Sequence, residues 1–312
     1  MCVGVSLMAE PLPVDVFAVL DGSSSMAEAT HTGVSKWYAT KAAFQGFLSN
    51  APSDMGFGLA LFPSPGEQVA SCSTAHYREQ ALPITSVAAL AGDARAKLDA
   101  VVPIGQTPTA PAFTAALDLA QAHALTHPER SVVVVLATDG LPTVCAPTDT
   151  AALARLAKEA FEGPGHVRTL VVALSRLDGN EAPGFQQIAK AGGTSRALSI
   201  DPRADFSTQL SDALRATVER KVACDLALPE PPSHERLDYD AVNVVLEGRD
   251  GRATLPRVAG AAACSSSGGW YYDVDPEAGA PSRLNVCRSS CERVSALAAK
   301  LSVELGCRTV VR

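Results

Sequence analysis

The chain has 312 residues, 47% hydrophobic and 19% charged, which is enough for one large core and a smaller second unit. Its net charge of −7 and its scattered Lys and Arg residues exclude the basic surface of a nucleic-acid-binding protein. The longest apolar runs, such as 131–137, are far shorter than the roughly 20 residues of a transmembrane helix, so the sequence predicts no transmembrane segment.

The N-terminus and the cysteines bear on the cellular compartment. Met1 is followed by mildly apolar residues without a basic segment or a cleavage site, which does not match a signal peptide. The eight cysteines, in contrast, are typical of an oxidising compartment. We therefore expect an extracytoplasmic protein (secreted, periplasmic or in the cell envelope) whose true start lies upstream. Cys2 matches a free or paired thiol better than a lipidated residue.

The first two hundred residues alternate short apolar runs with segments of helical period, the pattern of an α/β domain with a largely parallel, buried sheet. Five runs rich in β-branched residues predict strands. These are Val14–Leu20, Phe57–Phe62, Ser131–Ala137, Val167–Leu174 and Arg196–Ile200. The segment Tyr77–Ile84 predicts an antiparallel edge strand.

Apolar residues at helical spacing predict four helices that cover this sheet. They include Trp37 to Leu48, Phe113 to Ala124, Leu153 to Phe161 and Phe206 to Thr217. Asp201 suits the N-cap of the last helix, and Pro202 suits its first turn. The predicted fold class is a Rossmann-like, doubly wound α/β domain with a mostly parallel sheet flanked by helices.

A proline-rich stretch near Leu228 ends this pattern. We predict a large domain over 11–222 and a small cysteine-rich α+β module over 223–312, stabilised by disulfides. The predicted elements of the module are four strands and a helix: Val242–Leu246 and Ala253–Val258 around an Asp250–Gly251 hairpin turn, Trp270–Val274, Arg283–Cys287 and Cys291–Leu301.

The cysteines allow two interpretations. Cys72 and Cys145 follow strand ends on one side of the predicted sheet, and we expect them to pair. Five cysteines fall in or near the small module, namely Cys224, Cys264, Cys287, Cys291 and Cys307. A four-thiolate zinc site formed by the last four is an alternative. Their spacing lacks the usual C-x2-C motif, so disulfides are favoured.

Two further groups of residues have a structural interpretation beside a functional one. His123 and His127 lie in the last turn of a predicted helix, where histidine caps the helix dipole, and this is favoured over a zinc pair. Trp270, Tyr271 and Tyr272 are interpreted as core residues of the small module rather than as a carbohydrate-binding cluster.

Three polar clusters follow strands or precede a helix at one edge of the predicted sheet. Asp21, Ser23 and Ser25 follow the first strand in D-G-S-S-S, Thr107 lies in G-Q-T-P-T before a helix, and Asp139 follows another strand in T-D-G. Ligands of open parallel sheets bind outside the carboxyl ends of the strands. Carboxylate and hydroxyl oxygens suit Mg²⁺, with Mn²⁺ or Ca²⁺ as substitutes, and do not suit zinc. We predict a divalent metal site built from these five residues.

The three motifs together resemble the metal-ion-dependent adhesion site of von Willebrand factor type A domains. The resemblance covers roughly Pro11 to Lys221. The cysteines and the G-G-W-Y-Y-D segment behind this region are similar to bacterial secreted or lipoprotein-type proteins that carry such a domain. This second resemblance supports export.

The resemblance to the type A domains implies a ligand set and a partner. Ser23, Ser25 and Thr107 would contact the metal directly, with Thr109 as the alternative threonine, and the two carboxylates would act largely through bound water. Neutral hydroxyls around the cation leave it electrophilic, with one open position. An Asp or Glu of a protein partner would fill that position.

The sequence predicts a non-enzymatic binding module, and alternatives remain. A Mg²⁺-dependent phosphohydrolase of the haloacid dehalogenase type also has an Asp after its first strand, but it needs a second Asp where this chain has Ser23. A serine hydrolase is disfavoured because the chain has no G-x-S-x-G motif. The last alternative is a scaffold whose metal site stays empty.

Overall fold

The computed structural model describes residues 5–8, 12–67, 69–176, 179, 182–194, 196–221, 225–228, 237–248, 251–297, 300–306 and 308–311. The contacts between Cα atoms divide the chain into two compact units. The large unit comprises Val14–His127 and Ser131–Thr217. The small unit comprises Met1–Pro13, Pro128–Arg130 and Val218–Arg312.

The described strands, in chain order, are β1 (Val5–Met8), β2 (Val14–Asp21), β3 (Gly56–Phe62), β4 (Leu82–Ser86), β5 (Ser131–Thr138), β6 (Arg168–Ala173), β7 (Leu198–Ser199), β8 (Asp225–Ala227), β9 (Val242–Gly248), β10 (Gly251–Leu255), β11 (Trp270–Tyr272), β12 (Arg283–Val286) and β13 (Lys300–Leu305). The described α-helices are α1 (Lys36–Ser49), α2 (Thr74–Gln80), α3 (Val87–Asp99), α4 (Thr109–Thr126), α5 (Thr150–Glu162), α6 (Ala182–Ala191), α7 (Phe206–Lys221) and α8 (Arg288–Leu297).

The large unit is built on a six-stranded sheet of order β4-β3-β2-β5-β6-β7. All neighbouring strands run parallel except β4, which is antiparallel to β3. Phe17 and Val19 of β2 pack in one core with residues of α4, α5 and α6. Val16 and Ala18 alternate with them along the strand and are equally buried on the other face. The predicted mostly parallel α/β fold class is confirmed.

The predicted edge strand Tyr77–Ile84 was wrong over its first half. Its first residues end helix α2, and only the later ones belong to β4. The helix starts after Ser73, whose side chain accepts a hydrogen bond from the backbone N–H of His76 at 3.3 Å. A serine cap therefore favours a helix where the position of the segment directly after a strand predicted an edge strand.

The start of the last helix of the large unit also differs from the prediction. Helix α7 begins at Phe206, and Asp205 caps it by accepting the backbone N–H of Thr208 at 3.1 Å. Asp201 instead accepts a bond from the backbone N–H of Arg203 in the preceding turn. Both aspartates match a capping pattern, and the one next to the apolar period is the cap.

Two antiparallel sheets form the small unit, one of order β1-β13-β9-β10 and one of order β11-β12-β8. Trp270, Tyr271 and Tyr272 are buried, which confirms them as core residues. The indole N–H of Trp270 donates to the carbonyl oxygen of Leu255 at 3.1 Å. The predicted helix Cys291–Leu301 ends earlier, at Leu297, because the alternating residues from Lys300 onward form β13.

The disulfides of the small unit contradict the alternative of a four-thiolate zinc site. Cys264 and Cys287 are bonded to each other, with their Cα atoms 5.5 Å apart, and Cys291 is also disulfide-bonded. Cys2, Cys224 and Cys307, and the turn residue Asp250, lie outside the described residues. Gly251 has a φ of +113°, which a glycine adopts at no steric cost.

Candidate functional site

Asp21 is the last residue of β2 and lies fully buried at the carboxyl edge of the large sheet. Its Oδ1 atom accepts the backbone N–H of Ser23 at 2.8 Å, and its Oδ2 atom accepts the hydroxyl of Thr138 at 2.5 Å. Both donors are neutral. The chain turns away from the sheet directly after this residue, where the N–H of Gly22 donates to the carbonyl oxygen of Phe62.

The surroundings of Asp21 disfavour its negative charge. Burial raises the pKa of Asp21 to about 6, and the hydrogen bonds from Thr138 and Ser23 only partly oppose this effect. The negative charge of Asp139 raises the pKa slightly further. A buried carboxylate with neutral donors is therefore a position at which a bound cation would remove an energetic cost.

Ser23, Ser25 and Asp139 are joined by hydrogen bonds. The hydroxyl of Ser25 donates to Oδ1 of Asp139 at 2.7 Å, and the Ser23 and Ser25 hydroxyl oxygens lie 3.2 Å apart. Two neighbouring ligands of an octahedral Mg²⁺ ion at its usual bond length lie about 2.9 Å apart. The spacing of these two oxygens is close to that value, and the donor set of hydroxyls and carboxylates has the chemistry that Mg²⁺ prefers.

Thr107 lies on the neighbouring loop, which is attached to the Asp21–Ser25 turn through the backbone. The N–H of Ser24 donates to the carbonyl oxygen of Gly105 at 3.1 Å. Thr107 itself is buried, and its N–H donates to the hydroxyl of Thr143 at 2.9 Å. The hydroxyl oxygen of Thr109 is buried and finds no hydrogen-bond partner among the described residues. Thr107 thus lies on the loop that is bonded to the turn, and Thr109 is the first residue of α4.

Lys36 is part of this cluster, and the sequence analysis missed it. It is the first residue of α1 and is 7% exposed. Its ammonium group donates to Oδ2 of Asp139 at 3.0 Å and to Oε2 of Glu28 at 2.6 Å. Burial opposes its charge, but the hydrogen bonds to Glu28 and Asp139 outweigh burial and raise the pKa of Lys36. The signal in the sequence was a lysine in the first helical turn, where the helix dipole disfavours a cation.

A disulfide joins two loops on the same edge of the sheet. Cys72 follows β3 and Cys145 follows β5, and the two are bonded with their Cα atoms 5.1 Å apart. This confirms the predicted pair. Because Asp139 also follows β5, the disulfide fixes the loop that begins at a residue of the cluster.

The histidine pair of α4 lies at the opposite, amino-terminal edge of the sheet. His127 caps the helix as predicted, with its Nδ1 atom 3.1 Å from the carbonyl oxygen of His123. The capping interpretation was wrong for His123, whose Nε2 atom lies 2.7 Å from a carboxylate oxygen of the buried Asp15. The two imidazole rings stack, with centroids 4.1 Å apart.

The described residues contain no group of three or more His, Cys, Asp or Glu side chains that could hold a metal ion. The cluster around Asp21 has two carboxylates and draws its other oxygen atoms from serine and threonine. In the described part of the chain, no helix has the length and apolar character needed to cross a membrane.

No family model and no curated protein matches this chain. Among solved structures, proximal thread matrix protein 1 from the mussel byssus is 15% identical, with a TM-score of 0.42 over 71% of this chain and 51% of that one. The pilus adhesin SpaC of Lactobacillus rhamnosus GG is 13% identical, with a TM-score of 0.48 over 97% of this chain and 40% of that one. This chain therefore spans about half or less of the length of both proteins.

The manganese-loaded TRAP protein of Plasmodium vivax is also similar, with 20% identity and a TM-score of 0.39 over 69% of this chain and 76% of that one. At such identities the function of this chain has to follow from its own residues.

Proposed function

We propose that the large unit is a divalent-metal-dependent protein-binding module. Mg²⁺, or Mn²⁺ or Ca²⁺ in its place, would be held by the hydroxyl oxygens of Ser23, Ser25 and Thr107, with Asp21 and Asp139 acting largely through bound water. The metal would offer an open position to an Asp or Glu carboxylate of a partner protein. The cluster is then an adhesion-type site, and the protein is not an enzyme.

The observation that carries this proposal is the hydrogen-bonded chain from Ser23 through Ser25 to Asp139, beside the buried Asp21. The proton of the Ser25 hydroxyl is directed to Asp139, so the Ser25 oxygen accepts the proton of Ser23 on one lone pair and keeps the other available for a cation. The carboxylate oxygens of Asp21 accept the backbone N–H of Ser23 and the hydroxyl of Thr138, which are neutral donors. A cation at this position would neutralise a carboxylate that burial otherwise destabilises.

The phosphohydrolase alternative has weaker support. Such an enzyme needs a general acid two positions after Asp21, and Ser23 is a hydroxyl of ordinary acidity. We therefore propose no hydrolytic step for this site. Turnover of a phosphate monoester that is lost in Asp21→Asn would revive the alternative.

The disulfides support the proposed compartment, which is the periplasm, the cell envelope or the medium. Cys72–Cys145 and Cys264–Cys287 persist only where thiols are not kept reduced.

The test is isothermal titration of Mg²⁺ and of Mn²⁺ into the purified chain and into a Ser23→Ala/Asp139→Ala variant. We expect saturable binding in the wild type and its loss in the variant. Ser24→Ala is the matched control, because Ser24 lies in the same turn, is exposed, and is bonded to Gly105 through its backbone N–H. Binding that is equal in all three proteins, or absent from all three, would overturn the proposal.

A further inference from the structure

The buried ammonium group of Lys36 is unusual at a site proposed to bind a cation. Its side chain is 9% exposed, and that of its partner Asp139 is 1% exposed, with 3.0 Å between Nζ and Oδ2. The backbone N–H of Lys36 donates to the carbonyl oxygen of Glu28 at 2.8 Å, so the segment between them is closed into a tight loop. Lys36 is thus held at the site by its backbone as well as by its side chain.

We infer that Lys36 sets the charge of the metal-loaded site and thereby makes it selective for an anionic ligand. This inference rests on the function proposed above. A divalent cation with the carboxylates of Asp21 and Asp139 has a net charge of zero. The buried ammonium group of Lys36 brings the total of the buried groups to +1, and Glu28, paired with Lys36 at 2.6 Å but with 66% of its side chain exposed, offsets only part of that charge.

This arrangement has opposite effects on the two binding steps. The positive charge of Lys36 repels the incoming cation, so it weakens metal binding. The same charge attracts a carboxylate that approaches the loaded metal, so it strengthens partner binding. Lys36 is therefore a positioning residue that exchanges metal affinity for selectivity toward acidic partners, and it does so by holding Asp139 and contributing charge.

The opposite effects on metal affinity and on carboxylate affinity distinguish this role from a structural one. A substitution that only loosened the fold would weaken both steps. Lys36→Met removes the charge and keeps a side chain of similar length, and we expect it to bind Mn²⁺ on the order of tenfold more tightly. We expect the Mn²⁺-loaded variant to bind acetate roughly fivefold more weakly than the wild type, again from the loss of one unit charge.

The experiment measures Mn²⁺ affinity by calorimetry and acetate affinity by the relaxation of water protons around bound Mn²⁺, at constant ionic strength. Acetate that displaces a metal-bound water lowers the relaxation enhancement, and acetamide is the uncharged control. Lys41→Met is the matched variant on the same helix, because Lys41 pairs with the half-exposed carboxylate of Asp99 at 2.9 Å. It removes the same charge from the protein and should change neither affinity.

A second variant covers the case in which Lys36→Met does not fold. Glu28→Gln leaves the pair of Lys36 and Asp139 intact and removes one exposed negative charge. We expect Mn²⁺ to bind about twofold more weakly and acetate about twofold more tightly, because an exposed charge is strongly screened. Thermal unfolding identifies any variant that has lost its structure.

The outcomes distinguish the two proposals. A wild type that binds no Mn²⁺ overturns the proposed function. Mn²⁺ binding in the wild type with unchanged affinities in both Lys36→Met and Glu28→Gln overturns only the role of Lys36. Weaker binding of both Mn²⁺ and acetate in Lys36→Met would make Lys36 a structural residue.

Discussion

Strand β2 carries a buried aspartate near each end, and the two have different partners. Asp15 at the amino end accepts the backbone N–H of Gly56 at 2.6 Å and lies 2.7 Å from Nε2 of His123, a basic side chain. Asp21 at the carboxyl end accepts hydrogen bonds from Ser23 and Thr138, which are neutral. The comparison teaches that burial alone does not identify a functional carboxylate. The groups around each carboxylate distinguish the two, since Asp15 faces a basic side chain and Asp21 faces only neutral donors among the described residues.

The space around the two aspartates differs as well. At the amino end, a methyl group on Gly56 would lie 2.5 Å from a carboxylate oxygen of Asp15. At the carboxyl end, a methyl group on Gly140, next to Asp139, would meet no atom within 4 Å. The amino end is closely packed at Gly56, whereas the carboxyl end is open at Gly140 and closer at Gly22, where a methyl group would lie 3.0 Å from Val101.

Removing Asp15 should have the largest effect on stability. Asp15→Ala leaves the buried N–H of Gly56 without its acceptor and the imidazole of His123 without its carboxylate, at a cost of about 3 kcal/mol in the free energy of unfolding. Urea denaturation measures the loss, and calorimetry should find Mn²⁺ affinity unchanged. Asp118→Ala, which removes only an exposed pair with Arg78, should cost less than about 1 kcal/mol. Loss of Mn²⁺ binding in a folded Asp15→Ala protein would contradict the assignment of Asp15 as a structural residue.

Removing the charge of Asp21 should instead increase the stability of the metal-free protein. Its pKa is about 6 in the folded chain and 3.8 without burial, so the folded state holds an extra proton between these pH values. The stability of the metal-free wild type therefore falls as the pH rises from about 4 to 6 and stays lower above pH 6. Asp21→Asn avoids this loss and should be more stable by about 3 kcal/mol at pH 7 in EDTA.

Urea denaturation of Asp21→Asn and the wild type at pH 4 and pH 7 tests this prediction. The gain should be much smaller at pH 4, where Asp21 is protonated in the folded state and partly protonated in the unfolded state, and the variant should not bind Mn²⁺. Equal stability of the two proteins at pH 7 would mean that the carboxylate is well compensated without a metal.

The same contrast explains how much of the molecule the sequence could predict. Runs such as Ser131–Ala137 gave strand positions within a residue, because a strand buried on both faces has a continuous apolar signature. Asp21, Ser23, Ser25 and Asp139 were predictable because parallel strands bring their carboxyl ends to one edge.

Residues that depend on long-range contacts were not predictable. Asp15 is a polar residue inside an apolar run, and its partner His123 lies 108 positions away in the sequence. Lys36 bonds to Asp139, which lies 103 positions away in the sequence, and the residues next to Lys36 in the chain do not indicate that partner. Helix α3 was missed because its exposed small and polar residues dilute the apolar period, whereas α6 was missed although Phe185, Ile188 and Ala189 follow a helical period.

A matched pair of glycine substitutions tests the difference in packing between the two ends of β2. Gly56→Ala forces its methyl group against Asp15 and against Ile84, 2.9 Å away, and should cost about 2 kcal/mol. Gly140→Ala should change stability by less than about 0.5 kcal/mol, since its methyl group would lie in open space. Thermal unfolding of both variants measures the contrast. Equal losses would show that the carboxyl end is packed as tightly as the amino end.

The smallest effect concerns the hydroxyl of Thr138, which donates to Asp21. Thr138→Val removes this donor at nearly constant volume, and a hydrogen bond to a charged acceptor is worth roughly 1 kcal/mol more than one to a neutral acceptor. At pH 7 without metal, the substitution should therefore cost about 1 kcal/mol more in the wild type than in Asp21→Asn. The same substitution combined with Asp15→Asn, at the other end of the strand, should be additive because the sites share no partner. Coupling of Thr138 to Asp15 as strong as its coupling to Asp21 would mean that the two ends of β2 respond as one unit, and that the separation into a structural aspartate and a metal-site aspartate is wrong.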